Sequence, residues 1–405
     1  MMRTLTDYFG SKKEVKKKTI GKKEGDGEAI GNKKDYDVVA EKKRDNKSCA
    51  DDKAADVVSF DMADFPDSLH LLKNSLSMSL LTSRPFSIKN LDFLNERIIS
   101  LVDCAKLLGD ARVYYEKNIL EFNPKKIDFM AKDFSNDHGV ISEMVEVVLP
   151  VLLFSPRNST VTFRGLTEYK ISLDYFACSV VPFLQGYCEI ETKIIERGFV
   201  SGKNGAVEIK LRPKFKFNKS VYDEKMTGTF GSIFAFLEHA KKNKKFIDAD
   251  LLGSGYSCMG KKPVSIRCMI NAPKKEMPRI EDEIKRPIDL ILRNTKIPFN
   301  MKVEYSEIDA SSASITLCLV SSVNSEIDYS KRNSFDILSK SIVINNLDKR
   351  NIEKLLAEIY GYCDDVLCGK THYRSLEKSL AIYRFLFERL DPDDIEDGEI
   401  FRKFL

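Results

Sequence analysis

The stretch that decides the fold is TFRGLTEYKISLDYFACSVVPFLQGYCEIETKIIERGFVSGKNGAVEIK, residues 162–210. It opens as a strand that reaches a turn at Gly165. Ser172 predicts a helix N-cap, because its hydroxyl can accept a hydrogen bond from a backbone N–H of the first turn. The apolar residues that follow recur at helical spacing, which predicts an amphipathic helix with a kink at Pro182. Alternating residues on both sides of a Gly/Asn turn at 201–205 then predict a β-hairpin.

Four short blocks in this stretch carry a family resemblance. They are RGLT at 164–167, LDY at 173–175, PFL at 182–184 and ERGF at 196–199. In order and spacing they resemble the RNA 3'-terminal phosphate cyclase superfamily. That resemblance implies an α/β fold built from three repeats, with an insert before the third.

The chain on the N-terminal side repeats this organisation. Apolar periodicity predicts a helix from Leu69 to Leu80, a strand at 85–91, a helix from Leu94 to Leu108 and a hairpin at 113–122. The strands at 85–91 and 160–166 lie about 75 residues apart, and so do the helices that follow them. The pattern therefore predicts an internal structural repeat.

The remaining sequence predicts an insert followed by an incomplete third repeat. Residues 214–339 show strand, helix, strand and strand patterns, and helices follow after 340, with too few residues left for a final hairpin. The predicted fold class is α/β, with repeated helix-strand-helix-hairpin units in a large domain and a smaller inserted α/β domain. The predicted divisions are a disordered basic tail at 1–62, repeats one and two at 63–213, the insert at 214–339 and the third repeat at 340–405.

Composition limits the classes of protein that the chain can represent. The net charge is +4, so nucleic-acid binding must come from a local patch rather than from the whole chain. The nine cysteines are scattered and only four histidines are present, which predicts reduced thiols and no metal site. No apolar run approaches the roughly 18 residues that a membrane span needs. We expect neither a signal peptide nor a membrane contact.

The N-terminal tail offers two further interpretations. Its lysine clusters predict nuclear import or phosphate contact, and the alternative is a solvated tail. Leu5, Tyr8 and Phe9 share one side of a short helical turn and resemble the motif that docks proteins onto the DNA sliding clamp. Met2 stands where that motif carries Gln. The alternative is a disordered terminus with three apolar residues.

Two departures from the family pattern predict that this chain does not cyclise RNA ends. Cyclases of the family hold nucleotide with a glycine-rich segment near the first helix, where this chain has FPDSLH at 65–70. Their nucleophilic histidine lies in the last repeat, and His372 does not stand at the matching place. In these differences the chain resembles the non-cyclase branch of the family. That branch consists of nucleolar ribosome-biogenesis proteins that act on pre-rRNA with a GTPase partner. We predict no catalytic residue, cofactor or metal ligand, and leave open whether the protein cuts RNA.

Eight residues are predicted to contact RNA or a protein partner. Arg164 and Arg197 flank the strand and hairpin, although Arg164 has the alternative of pairing with Glu168 or Asp174. The basic tract of the insert offers a further phosphate patch, which adds salt dependence without sequence readout. The other predicted contacts are Lys203, Asn204, Lys241, Lys242, Lys244 and Lys245.

The leading function is a cyclase-like factor of small-subunit rRNA processing and ribosome biogenesis in the nucleolus. Its expected partners are pre-rRNA and a GTPase of the small-subunit processome. An active ATP-dependent RNA 3'-terminal phosphate cyclase is the alternative, and a sliding-clamp-associated adaptor is the second. Covalent labelling with nucleotide discriminates between the first two, and clamp binding tests the third.

Overall fold

The computed structural model describes residues 57–405 except for 66, 92–94, 130–132, 156, 201–202, 215–260, 296–299, 308–311, 323–326, 328–334, 371–373, 389–391, 393–394 and 396–397. For 291–292, 294–295 and 300–307 it describes the backbone alone. Residues 1–56 of the predicted disordered tail, with the motif of Leu5, Tyr8 and Phe9, lie outside the described residues.

The first unit holds a four-stranded sheet. Its elements are β1 (Val58–Asp61), α1 (Ser68–Thr82), β2 (Phe86–Lys89), α2 (Glu96–Gly109), β3 (Arg112–Glu116) and β4 (Ile119–Asn123). The strand order is β1-β2-β4-β3, with β1 parallel to β2 and the other pairs antiparallel. The predicted helix, strand, helix and hairpin are confirmed. β1 begins before the tail boundary predicted at residue 62, because Val58 and Phe60 are buried against the sheet's core.

The second unit has the same topology. Its elements are β5 (Asp133–Val140), α3 (Ile141–Leu152), β6 (Ser159–Leu166), α4 (Leu173–Tyr175), a π-helical turn (Phe176–Val180), α5 (Val181–Leu184), β7 (Cys188–Glu196) and β8 (Gly205–Pro213). The strand order is β5-β6-β8-β7, again with one parallel pair followed by two antiparallel pairs. The internal repeat is therefore confirmed at the level of strand order.

Side-chain caps explain where several helices begin. Asp67 Oδ1 accepts from His70 N at 3.1 Å, and Asn95 Oδ1 accepts from Ile98 N at 2.9 Å. Ser172 Oγ accepts from Asp174 N at 3.1 Å, as the sequence predicted. Each cap satisfies a backbone donor that has no partner within the helix.

The helical segment from α4 to α5 differs from its prediction. Pro182 stands in the first turn of α5, where its missing N–H costs no helical hydrogen bond, and the turn before it (Phe176–Val180) has π spacing. The segment is also buried on nearly every side, with Asp174 and Ser179 as inaccessible as Leu173. The predicted amphipathic helix is therefore a core helix that contains polar residues.

A third sheet comes from the C-terminal half. Its elements are β9 (Lys262–Ala272), α6 (Met277–Thr295), β10 (Asn300–Glu307), β11 (Ala313–Ser322), β12 (Phe335–Ile344) and α7 (Lys349–Leu367). The strand order is β10-β9-β11-β12, with β9 and β10 parallel and joined through α6. The predicted strand, helix, strand, strand pattern is confirmed, and β12 adds a fourth strand. The boundary predicted at residue 339 falls inside β12.

Both faces of the third sheet are covered, since β11 is buried at every position. One face packs with α6 and α7 in a cluster that includes Ile315, Ile284 and Ile359. The other face meets the helical segment of the second unit, where the rings of Phe183 and Phe335 lie 5.2 Å apart. The predicted insert and third repeat therefore share one sheet, which packs against repeat two.

The C-terminal helices cover the first two units. They are α8 (Arg374–Tyr383), continued by a π-helical turn (Arg384–Glu388), and α9 (Gly398–Phe404). The ring of Phe404 lies 5.9 Å from Phe60 and 6.2 Å from Phe86, so α9 seals the core of the first sheet. In the described part of the chain, no helix combines the length and hydrophobicity needed to cross a bilayer.

Candidate functional site

A buried charge cluster lies where β7 ends and α4 begins. The Arg197 guanidinium donates to Glu168 Oε1 at 2.5 Å and to Asp174 Oδ1 at 3.0 Å. The side chains of both carboxylates are fully buried, and that of Arg197 is 12% exposed. The cluster thus removes one cation and two anions from water, which is favourable only where each charge has partners.

Polar side chains of the third sheet complete this cluster. Asn271 Nδ2 of β9 donates to Asp174 Oδ2 at 2.8 Å and to Ser314 Oγ of β11 at 3.1 Å. The backbone N–H of Ser172 donates to Ser341 Oγ of β12 at 2.9 Å. The network therefore joins the second unit to three strands of the third sheet.

Burial and charge change the titration of this cluster. Burial raises the pKa of Glu168 to about 7, with Asp174 acting in the same direction, although Arg197 and hydrogen bonds from Ser172 and Ser314 oppose the rise. Burial disfavours the charge on Arg197, but Asp174 and Glu168 outweigh it and raise the pKa of the guanidinium above its usual range. Glu168 is consequently the member of the cluster that exchanges a proton near neutral pH.

Four glycines from separate parts of the chain meet beside the cluster. A Cβ on Gly165 would lie 2.3 Å from Gly139 O, and a Cβ on Gly198 would lie 2.2 Å from Gly205 N. Backbone segments approach this closely only where no side chain intervenes. The turn at Gly165, predicted from the sequence, is instead the last part of β6, and its glycine permits contact with Gly139.

Arg164 lies on the open face of the second sheet. It is exposed and stands opposite Ala206 on one neighbouring strand and Ser135 on the other. On this face Lys193 opposes Glu208 and Glu191 opposes Lys210, whereas Glu196 opposes Ala206. Within the described residues, Arg164 is thus a surface cation without an opposed carboxylate.

Lys203 and Asn204 lie at the same end of the sheet as Arg164. Gly205 pairs with Gly165, so the two residues before it come next to the strand end that carries Arg164. Lys203 is exposed, and Asn204 Nδ2 donates to Asp137 Oδ1 at 3.0 Å. Arg164, Lys203 and Asn204 are called the hairpin edge below.

The structure separates the two arginines that the sequence grouped. Arg164 is exposed, whereas Arg197 is held by Glu168 and Asp174. The pairing offered as an alternative for Arg164 therefore belongs to Arg197. The predicted contacts Lys241, Lys242, Lys244 and Lys245 lie outside the described residues, as does His372.

The N-terminus of α1 is the place where the family resemblance implies nucleotide binding. Asp67 caps this helix with one carboxylate oxygen, and its Oδ2 lies 2.9 Å from Lys378 Nζ of α8. The capping and the ion pair lower the pKa of Asp67 against the opposing effect of burial, so the carboxylate is charged at neutral pH. A fixed anion occupies the position at which a helix N-terminus otherwise attracts phosphate. The residues at this position do not fit a nucleotide phosphate.

Further polar residues surround this helix end. Lys73 forms an ion pair with Glu146 of α3, which also accepts from Ser379 Oγ at 2.6 Å. His70 Nε2 lies 2.9 Å from Asn74 Nδ2, and burial lowers the pKa of His70 to about 4. The imidazole is therefore neutral at physiological pH.

Sequence reasoning missed this second group of polar residues. The sequence did contain a sign of this group, because the polar residues His70, Lys73 and Asn74 recur at helical spacing within a leucine-rich helix. Their partners on α3 and α8 are distant in sequence, so nothing indicated what the polar side chains would meet. Among the residues that the structure describes, no group of three or more His, Cys, Asp or Glu side chains could hold a metal ion.

Comparison with known proteins decides the family. A model of the RNA 3'-terminal phosphate cyclase family matches residues 67–344, more than half of the chain. The chain belongs to the RNA 3'-terminal phosphate cyclase family. A curated relative, the RNA 3'-terminal phosphate cyclase of Pyrobaculum aerophilum, is 28% identical over 158 residues. That alignment covers 35% of this chain and 45% of the relative, so the match spans less than half of the relative's length.

The family match begins at Asp67 and ends at the last residue of β12. It therefore includes all three sheets except β1, and it includes the predicted insert. The buried cluster around Arg197 and the capped start of α1 are both inside the matched region. Both features thus lie within the part of this chain that matches the cyclase family.

Proposed function

We propose that this protein is a cyclase-like factor that binds pre-rRNA during small-subunit rRNA processing and ribosome biogenesis, without cyclase activity. The observation that carries the proposal is the carboxylate of Asp67 at the start of α1. In a cyclase the corresponding segment is expected to receive a nucleotide phosphate. Here it holds a charged carboxylate in an ion pair with Lys378.

Electrostatics explain why that carboxylate opposes nucleotide binding. A phosphate approaching the first turn of α1 would meet an anion of the same sign instead of unsatisfied N–H groups. To displace Asp67, the phosphate would have to break the bond to His70 N and the ion pair with Lys378. The loss of these two bonds opposes phosphate binding at this helix end.

The hairpin edge supports RNA binding by the same fold. Arg164 and Lys203 are exposed cations at one end of a sheet, and Asn204 adds an amide whose position is fixed by Asp137. Arginine, lysine and asparagine contact phosphate and sugar oxygens without reading sequence. We propose that the basic tract at Lys241–Lys245 extends this contact, because phosphate binding strengthens with each added cation.

The proposed partners follow from the family resemblance. They are pre-rRNA and a GTPase of the small-subunit processome, and the proposed location is the nucleolus within the nucleus. Leu5, Tyr8 and Phe9 add a separate proposal, docking to the DNA sliding clamp. Loss of clamp binding on substituting alanine at Tyr8 and Phe9 would support that contact, and no binding by the wild-type protein would contradict it.

The second candidate is an active ATP-dependent RNA 3'-terminal phosphate cyclase. It is favoured by the similarity to the RNA 3'-terminal phosphate cyclase of Pyrobaculum aerophilum. The two candidates differ in one requirement, since a cyclase forms a covalent nucleotide intermediate and an RNA-binding factor does not.

In-cell crosslinking tests the proposed function. We expect the wild-type protein to enrich pre-rRNA over other abundant RNA, and the double variant R164A/K203A to lose most of that enrichment. The double variant K193A/E208Q alters an opposed pair on the same sheet and serves as the control. Enrichment of tRNA or messenger RNA without pre-rRNA would contradict the proposal, and so would equal loss in the control.

A further inference from the structure

The buried cluster is bonded directly to the loop that leads to the hairpin edge. Gly198, the residue after Arg197, accepts from the backbone N–H of Thr167 at 3.1 Å and of Glu168 at 2.9 Å. Its own N–H donates to Thr167 Oγ1 at 3.0 Å. The side chain of Arg197 therefore bonds to that of Glu168, and the backbone of the next residue, Gly198, bonds to the backbone of Glu168.

Gly198 in turn contacts the hairpin edge. A Cβ on Gly198 would lie 2.2 Å from Gly205 N and 2.8 Å from the carbonyl carbon of Asn204. A Cβ on Gly205 would lie 2.8 Å from Thr167 Cγ2. The backbone on which Lys203 and Asn204 stand therefore rests on the residues bonded to the cluster.

We propose that Glu168 is a proton-dependent positioning residue for the hairpin edge, and that RNA phosphates bind there together with uptake of one proton by its carboxylate. This inference rests on the proposed RNA-binding function. The step is a simple protonation: Glu168 takes a proton from solvent and its carboxylate becomes a neutral acid. Arg197 then balances Asp174 alone, and the cluster loses its excess negative charge.

Charge counting gives the direction of the effect. The charged groups that face Glu168 are Arg197 and Asp174, and the polar groups are Ser172 and Ser314. With both carboxylates ionised, the cluster has a net charge of −1, which repels a phosphate at the adjacent edge. Bound RNA therefore favours the protonated form, and by linkage the protonated form favours bound RNA.

Because the pKa of Glu168 is raised to about 7, this exchange takes place at neutral pH. In the free protein, the carboxyl is mostly protonated below that value and mostly ionised above it. RNA affinity must therefore rise as the pH falls through neutrality. The same proton stabilises the fold below the ordinary pKa of Glu168, and that stability is lost as the pH rises through about 7.

RNA affinity measured against pH tests the inference. For a short single-stranded RNA of mixed sequence and full-length protein, we expect affinity to increase about fivefold from about pH 8 to about pH 6. E168Q, which imitates the protonated acid, is expected to bind with the higher affinity at both values. E191Q changes an exposed carboxylate of the same sheet and is expected to keep the wild-type slope.

A histidine variant near the hairpin edge serves as a second control for the pH dependence of RNA affinity. His138 is exposed, lies 3.2 Å from Glu96 and follows Asp137, whose carboxylate accepts from Asn204 of the hairpin edge. H138Q is expected to keep the slope. If E168Q retains the wild-type slope, or H138Q abolishes it, the inference is overturned while RNA binding itself stands.

Calorimetry of the unaltered protein gives a second measurement that does not depend on a variant's folding. Binding enthalpies in two buffers of different ionisation enthalpy report the protons taken up for each RNA bound. We expect net uptake of a fraction of a proton at neutral pH. Proton release, or none, overturns the inference, and absence of RNA binding at every pH overturns the proposed function along with it.

Discussion

At the scale of single residues, two arginines from different family-like blocks have opposite environments. Arg197 is held by Glu168 and Asp174 in the interior, and Arg164 opposes Ala206 and Ser135 on the surface. Both arginines follow the family-like spacing, so spacing alone could not assign their roles. The difference follows from strand alternation, which turns Arg164 outward, and from the position of Arg197 beyond the last ladder pair of β7.

Arg164 provides the residue-scale prediction. Replacing it with alanine removes one phosphate contact, so we expect weaker RNA binding and a decrease of about one in the slope of log affinity against log salt. Titration of RNA at several salt concentrations measures both. R212A is the matched control, because Arg212 is exposed on the same sheet but faces Glu189 at 3.6 Å. An equal loss of RNA affinity in R212A would show that binding depends on the overall charge of the sheet surface and not on the hairpin edge.

At the scale of secondary-structure elements, the strand ends of the second unit are held together by glycine contacts. Gly139, Gly165, Gly198 and Gly205 come from β5, β6, the loop after β7 and the start of β8. Gly165, Gly198 and Gly205 each allow a backbone contact that a methyl group would block, whereas a Cβ on Gly139 would meet the side chains of Met144 and Ser100. The hairpin and the parallel strand pair are therefore fixed to each other at the end that carries the hairpin edge.

Substitution of Gly198 tests this contact. G198A places a Cβ 2.2 Å from a backbone nitrogen, so we expect destabilisation of about 1–3 kcal/mol, the usual cost of overpacking. G361A is the matched control: its Cβ meets nothing within 4 Å and it lies in α7. We expect G361A to stabilise by about 0.5–1 kcal/mol, because alanine favours helix over glycine. Urea denaturation measures both, and a neutral G198A would contradict the close approach.

The elements also show what the sequence could predict. Alternation on both sides of a turn was sufficient for the β7–β8 and β3–β4 hairpins, because period two is a local signal. β1 was missed because four residues with two buried side chains give too short a pattern. The π-helical turn was missed because accommodation of Pro182 depends on the packing around it. The buried cluster could not be predicted, since its partners Asn271 and Ser314 are distant in sequence.

At the scale of the whole molecule, the second unit is the part to which the other described elements connect. Its core helix packs on the third sheet, and its buried cluster bonds to β9, while α3 bonds through Glu146 to α1 and α8. The sequence found the repeat but divided the C-terminal half at residue 339, inside a strand. Sheet pairing and helix packing bring the two sides of that division together.

We propose that the nucleotide position of this cyclase-family fold is closed by the protein's own Asp67 and Lys378. The most direct test is covalent labelling with ATP radiolabelled at the α-phosphate, followed by denaturing electrophoresis, with the Pyrobaculum cyclase in parallel. We expect label on the archaeal relative and none on this protein. A stable nucleotide adduct on this protein would contradict it.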